Sequence, residues 1–259
     1  MNIKITVMSP LHNVGSSVVS LFITQALTFA HYKTLLLYNQ SDSLIPRYLG
    51  SVDDGDLTRS VSQLAQLLDA GALDSDHILD YCNPITQNCF FLNTSANNLY
   101  QEDKLALVNN IFSSAPVDVT VCDNTEDIGT STSTLLLEKT DMIFIVVPHS
   151  LKGFERLKIW LKNPELRDYM EKIYVVISNY SEEVFAMRVL SKHIGFPNSH
   201  VLRMHYNPWI EKMCHAGKLQ TVLPLAKELD PRVANLSNDI AELTSCVNSY
   251  MFTASKEVL

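Results

Sequence analysis

Five short runs of apolar residues constrain the fold of this chain more than any other feature. Each run has the length of a β-strand and is apolar at nearly every position, instead of at every second position. This pattern is typical of strands in a parallel sheet whose two faces are both covered. The runs are residues 3–8, 34–38, 117–122, 142–147 and 173–178, with weaker candidates at 89–92 and 201–204.

Helical patterns lie between these runs, and the alternation defines the fold class. They are residues 18–30, 60–70, 104–113, 132–139, 152–163, 164–171, 181–194, 208–216 and 231–250. Strands that alternate with helices predict a three-layer α/β/α fold with a mostly parallel central sheet. We predict a single domain over residues 1–250, with 50–88 as a helical insertion near the second strand. Residues 251–259 are predicted to be a tail that frays.

The composition limits where in the cell the protein is expected. The 259 residues are 46% hydrophobic, but the longest apolar runs are far too short to span a bilayer. The five cysteines show no C-x-x-C spacing, which predicts reduced thiols instead of a disulfide framework or a zinc site. We therefore expect a cytoplasmic protein without a transmembrane segment.

The net charge of −8 is unevenly distributed. Residues 1–144 hold 6 Lys/Arg against 16 Asp/Glu, whereas residues 145–220 hold 11 against 7. This balance argues against a protein coated by nucleic acid, but it leaves a local basic face in 150–220 open. Its core is Lys152, Arg156, Lys158, Lys162 and Arg167. We interpret this run as a solvated helix face, with a DNA or partner site as the alternative.

The loop after the first strand, residues 9–18, is the strongest candidate site. Strand, short turn and helix form the arrangement of a phosphate-binding loop, and ligands of parallel sheets bind beyond the carboxyl ends of the strands. The loop contains one glycine, Gly15, and no lysine. Ser16 and Ser17 begin the helix. Either they cap its free amides, or Ser17 supplies the magnesium-binding hydroxyl of a phosphate loop.

A second candidate follows the strand predicted at 117–122. Asp123 comes directly after this buried run. A carboxylate in that position either holds the water shell of Mg²⁺ or caps the next turn. Other chemistries fit less well, because the histidines lack the spacing of a metal-binding helix and no G-x-S-x-G motif is present.

Taken together and in order, these loops resemble those of the ParA/MinD family of deviant Walker ATPases over nearly the whole chain. The family loop K-G-G-V-G-K-[ST]-[ST] corresponds to Leu-His-Asn-Val-Gly-Ser-Ser-Val at 11–18, and its V-L-L-I-D-x-D strand to Thr-Leu-Leu-Leu-Tyr-Asn-Gln at 34–40. Its strand ending in Asp-Thr is similar to 117–124, its A-D…V-x-P element to 137–148 and its V-x-N strand end to 175–179. Residues 206–218 are similar to its late I-P-x-D…G segment. The resemblance implies a P-loop NTPase fold that binds ATP with Mg²⁺ and dimerises face to face around two nucleotides.

The departures from this family pattern fall where the chemistry would be. Leu11 and Ser16 replace the two lysines, His12 and Asn13 replace two glycines, and Tyr38 and Gln40 replace two aspartates. Each missing lysine removes a charge-assisted phosphate contact of about 1.5–3 kcal/mol. The resemblance leaves a vestigial nucleotide site at Val14, Gly15, Ser16, Ser17, Asn179 and Pro208, and a vestigial Mg²⁺ site at Ser17 and Asp123.

The sequence therefore predicts a catalytically degenerate ParA/MinD-like protein, a pseudo-ATPase. We expect it to act as a localisation or assembly scaffold for a bacterial machine, such as a pilus or secretion system of the TadZ/CpaE kind or a cellulose-synthesis system. No cofactor is expected beyond weak ATP or ADP with Mg²⁺. Protein partners and a homodimer are expected, with nucleic acid not expected and membrane contact only through a partner. The alternatives are a working ATPase with compensating residues, and a DNA-segregation or regulatory protein that uses the basic face in 150–220.

Overall fold

A computed structural model describes residues 2–39, 44–50, 54–94, 100–182, 192, 194–228 and 230–257, without the side chains of 54–60, 227 and 254–257. Gln40 and most of the helix predicted at 181–194 lie outside these residues. None of the helices in the described part of the chain is both long enough and apolar enough to cross a membrane.

The described residues form one eight-stranded sheet in the order β3-β4-β2-β5-β1-β6-β7-β8. Every neighbouring pair is parallel except β3 and β4. The strands are β1 Ile3–Met8, β2 Thr34–Tyr38, β3 Asn83–Thr86, β4 Cys89–Asn93, β5 Val119–Asp123, β6 Met142–Pro148, β7 Ile173–Tyr180 and β8 Val201–His205. The predicted mostly parallel sheet is therefore confirmed.

Helices cover both faces of the sheet, which confirms the three-layer α/β/α architecture. They are α1 Ser16–Phe29, α2 Ile45–Tyr48, α3 Asp54–Asp69, α4 Gln101–Ser114, α5 Ser131–Lys139, α6 Leu151–Leu161, α7 Pro164–Arg167, α8 Pro208–His215, α9 Val222–Lys227 and α10 Ala234–Glu257. Helices α1, α2 and α8–α10 pack on one face, and α3–α7 pack on the other.

Alternate residues of each central strand supply the two cores. In β6, Phe144 and Val146 join the core beneath α1 and α10, whereas Ile143 and Ile145 join the core beneath α6. Side chains of a strand point to opposite faces in turn, so a strand that is buried on both sides is apolar throughout. This is the physical basis of the five apolar runs.

Several elements differ from the sequence prediction. The region 50–88 holds α3 as expected, but it also holds a 3₁₀ segment, Ser75–Tyr81, and the antiparallel edge strand β3. Strand β3 contains Pro84, which lacks the N–H of a ladder and is tolerated at a sheet edge. Helix α2 is too short to show a periodic pattern. Helix α10 extends to Glu257 instead of ending at Tyr250.

Candidate functional site

The loop between β1 and α1 has the backbone of an anion-binding turn. Asn13 and Gly15 both adopt left-handed conformations, with φ of 58° and 90°, and Gly15 is the N-cap of α1. The buried Ser178 hydroxyl at the end of β7 donates to the Val14 carbonyl at 2.7 Å, which ties the loop to the sheet. The first amides of a helix have no acceptor within the helix, so Ser16 and Ser17 present N–H groups and the positive end of the helix dipole.

A cavity of about 280 Å³ lies at this loop. Its lining includes Leu11, His12, Asn13, Gly15, Ser16, Ser17, Tyr48 and Asn124. His12 and Asn13 are exposed at the rim, while Tyr38 is buried in the core and stacks on Phe91 with ring centroids 6.3 Å apart. The three residues that replace family glycines and the first aspartate therefore leave the cavity open.

Asp123 lies beneath the start of α1, where two serine hydroxyls bind it. Ser17 donates to one carboxylate oxygen at 2.6 Å, and Ser20 donates to the other at 3.1 Å. Burial raises the pKa of Asp123 to about 6, although both hydrogen bonds lower it. The sequence paired Ser17 with Asp123 as magnesium ligands. The structure brings them together, and adds Ser20 one turn further along the helix.

Asn124 joins the three strand ends around this carboxylate. Its backbone N–H donates to the Val7 carbonyl at 2.8 Å, and its side-chain amide donates to Ser133 at 2.9 Å. Its side-chain oxygen accepts from Asn39 at 3.1 Å. All of these bonds join neutral groups. The family pattern has a threonine at the position of Asn124, and it has aspartates at positions 38 and 40, on either side of Asn39.

Positive charge is scarce around the loop. Of the described residues that line the loop cavity, none is a lysine or an arginine. Lys104, near the ends of β2 and β5, is engaged by the Glu126 carboxylate at 3.1 Å and by the Asn39 carbonyl at 3.3 Å. A triphosphate carries several negative charges, and among these residues it would meet amides, hydroxyls and the His12 ring without a free lysine or arginine.

A second cavity, of about 740 Å³, adjoins the first and is shared between β7, β8, α2 and α8. It shares Asn13, Gly15, Val18, Leu44 and Tyr48 with the loop cavity. Tyr48 therefore stands between them, and burial, with Cys214 and Asp123 nearby, raises its pKa. Arg47 also lines the second cavity.

Two predicted residues lie around this second cavity. Asn179 lines it in a left-handed conformation, with φ of 52°. Pro208 begins α8 directly after Asn207, which lines the cavity and caps the helix by accepting from the Trp209 N–H at 2.8 Å. With Val14, Gly15, Ser16, Ser17 and Asp123, they sit along the carboxyl edge of the sheet as the strand order requires.

His205 is a residue of this region that the sequence did not single out as a site. Its ring Nδ1 lies 2.8 Å from the Asp239 carboxylate of α10, and its backbone N–H donates to the same carboxylate at 2.7 Å. Asp239 is fully buried, and this burial raises its pKa. The signal in sequence was an aspartate on the otherwise apolar stripe of the last helix. No group of three or more metal-ligating side chains occurs among the described residues.

Fold and site together define a class: a three-layer α/β/α fold with a mostly parallel sheet, a loop between β1 and α1 that ends at a helix N-terminus, and an acidic residue at the end of β5. Solved structures specify this class further. The ParA family ATPase from Chlorobium tepidum matches with a TM-score of 0.71 at 18% identity, over 93% of this chain and 98% of that one. MinD in the Aquifex aeolicus MinC:MinD complex matches with a TM-score of 0.68 at 16% identity, over 95% and 96%.

A plasmid partition protein from Borrelia burgdorferi bound to AMPPNP matches with a TM-score of 0.64 at 13% identity, over 98% of this chain and 100% of that one. No protein-family model and no curated protein sequence matches the chain. The fold is that of the ParA/MinD ATPases, so the resemblance seen in the sequence is confirmed at the level of the fold.

Proposed function

We propose that the chain is a catalytically degenerate ParA/MinD-like protein, which uses the fold as a scaffold instead of hydrolysing ATP. The observation that carries this proposal is a loop cavity with the right backbone and the wrong charge. Gly15 and the amides of α1 are in place, whereas no described lining residue is a lysine or an arginine. Losing two lysine contacts weakens phosphate binding by about 3–6 kcal/mol, or roughly two to four orders of magnitude.

The position of Tyr38 supports the same proposal. Phosphoryl transfer needs a neutralised γ-phosphate and an oriented water. Tyr38 stands where the family has the aspartate that helps to position that water, and its ring is packed in the core. Ser17 and Ser20 donate to the Asp123 carboxylate, and the Ser17 oxygen keeps its lone pairs for a Mg²⁺, so the proposal rests on Tyr38 and the missing lysines and not on this pair.

The resemblance extends the proposal to a scaffold role in the cytoplasm. The chain would act within a larger bacterial assembly, such as a pilus, secretion or cellulose-synthesis system. The matching MinD from Aquifex aeolicus is in a complex with MinC, so one protein of this fold carries a protein partner. A fold kept intact around a weakened site is suited to present surfaces to partners.

Calorimetry with Mg-ATP and Mg-ADP tests the proposal. We expect no binding tighter than about 10 μM and no phosphate release. The matched variant restores both lysines, Leu11→Lys with Ser16→Lys, and should tighten nucleotide binding by at least tenfold because the backbone cradle is present. Wild-type binding in the low micromolar range with turnover would overturn the pseudo-ATPase assignment.

A working ATPase is the second candidate, because Arg47 lines the cavity next to the loop and could supply a missing charge. In that case the Arg47→Ala variant should lose the nucleotide binding that the wild type shows. Binding that survives this substitution would exclude Arg47 as the compensating residue.

A further inference from the structure

Helix α6 presents two large apolar side chains to solvent. Phe154 and Leu157 face the core, whereas Leu151 and Ile159 are each 61% exposed. They lie eight residues apart, which is about 12 Å along one face of the helix. Single exposed apolar side chains are normal on protein surfaces, so this pair gains weight only from the charges around it.

Basic side chains surround this apolar pair. Residues 151–162 hold four Lys/Arg against one Glu, a balance of +3 in a chain of net charge −8. Lys152, Arg156 and Lys162 are exposed, and none of the three forms an ion pair with another described residue. We call the exposed side of α6, with Leu151, Lys152, Arg156, Ile159 and Lys162, the basic face.

The other half of the same helical layer carries a surface of opposite charge. Residues 61–82 contain four aspartates and neither lysine nor arginine. All four are exposed, and they form what we call the acidic face: Asp69, Asp74, Asp76 and Asp80. The exposed His77 lies among them, with its ring Nδ1 2.9 Å from the Asp80 carboxylate. Partly buried Leu73 and Leu79 lie between the aspartates and pack on the core beneath.

The sheet register shows that both faces lie on one side of the molecule. Cα partners run across the sheet from Leu37 to Cys122, Thr6 and Ile143, and neighbours in register point to the same side. Leu37 packs under α3 and α4, and Ile143 packs under α6. Helix α5 bridges the two halves, since Leu136 joins one core and Leu137 the other.

We propose that a second copy of this chain docks on this layer, with the basic face of each copy on the acidic face of the other. A two-fold axis perpendicular to this side of the molecule, midway between the two faces and near α5, places the basic face of each copy on the acidic face of the other. This holds whatever the distance between the two faces. Each contact then forms twice. The charges set the pairing, and Leu151 and Ile159 supply apolar contacts within it.

The acidic face argues for this occupant over a polyanion. An anionic surface broad enough to cover this whole layer would also meet four exposed aspartates. The proposed interface lies on the helical layer and not at the strand ends, so it needs no nucleotide and is independent of the proposed function.

Sedimentation velocity tests the dimer with the full chain. We expect a dimer at about 50 mM salt whose dissociation constant rises at least tenfold at about 500 mM, because salt screens exposed charges. Lys152→Glu with Arg156→Glu should weaken self-association at least tenfold, and so should Asp69→Lys with Asp76→Lys. An equimolar mixture of the two variants should restore the dimer, since each then offers the charge that the other lacks.

The matched control reverses two charges on the opposite layer, Lys212→Glu with Lys218→Glu, and should leave the dimer unchanged. Circular dichroism confirms that each variant is folded. A monomeric wild type at low salt, a dimer that K152E/R156E leaves intact, or a mixture that stays monomeric would each overturn the proposal. The proposal would also be overturned if the wild type were monomeric and bound duplex DNA in a salt-dependent way, and if K152E/R156E abolished that binding.

Discussion

At the scale of single residues, burial makes the ionisation of Asp123 costly. The folded chain raises the pKa of Asp123 from 3.8 to about 6, with burial as the main cause. Folding therefore favours the protonated carboxyl between these two values. The cost of burying the carboxylate is absent below pH 3.8, and it grows as the pH rises toward and through 6.

The Asp123→Asn variant isolates this cost, because asparagine fills the same space without titrating. The unfolding free energy of the variant relative to the wild type should increase by about 2 kcal/mol between pH 4 and pH 8. Urea unfolding at the two pH values measures it. Ser17→Ala with Ser20→Ala removes the hydroxyl donors that lower this pKa. The unfolding free energy of this double variant should therefore fall by more between pH 4 and pH 8 than that of the wild type. A difference that stays constant with pH would show that Asp123 is ionised in the native protein throughout.

At the scale of elements, a contact between two glycines positions α2 and with it Tyr48. Gly50 follows α2 and Gly217 follows α8, both with left-handed φ, of 70° and 64°. A Cβ on Gly217 would lie 2.9 Å from the Arg47 carbonyl oxygen and 3.0 Å from the Gly50 Cα. Only glycine allows the two backbones to approach this closely.

Gly217→Ala should therefore cost about 2–4 kcal/mol of unfolding free energy, from the left-handed conformation and the backbone contact together. Gly71→Ala is the matched control, because Gly71 has the same φ of 64° and a Cβ there would meet nothing within 4 Å. It should cost only about 1 kcal/mol. Chemical denaturation of both variants gives the comparison, and equal losses would show that the contact does not hold α2 in place.

The elements also show what the sequence could predict. Strands β1 and β2 match their predicted bounds because burial on both faces leaves no polar position within them. Strand β3 escaped prediction because its exposure alternates and its Pro84 argues against a strand. At the site, the order of the loops predicted that Ser17 and Asp123 lie close together. The pairing of His205 with Asp239 could not be anticipated, since it joins residues 34 positions apart through the packing of α10 on β8.

At the scale of the whole molecule, α10 decides whether the fold holds together. It packs along α1 and β8, and four of its side chains, Leu236, Ile240, Leu243 and Val247, are buried in the core with α1. Burying each contributes about 1.5–3 kcal/mol, so the four together contribute about 6–12 kcal/mol. That sum is comparable with the entire stability of a typical domain.

Two truncations test this. A chain that ends at residue 233 loses all four core side chains and leaves Asp239's partner His205 unpaired, so it should lose cooperative unfolding. A chain that ends at Tyr250 keeps all four and loses the partly buried Met251 and the largely exposed Phe252, so it should unfold cooperatively with a loss of about 1–2 kcal/mol. Thermal unfolding followed by circular dichroism distinguishes them. A cooperative transition in the shorter chain would mean that α10 is an appendage, and the domain would then end before it.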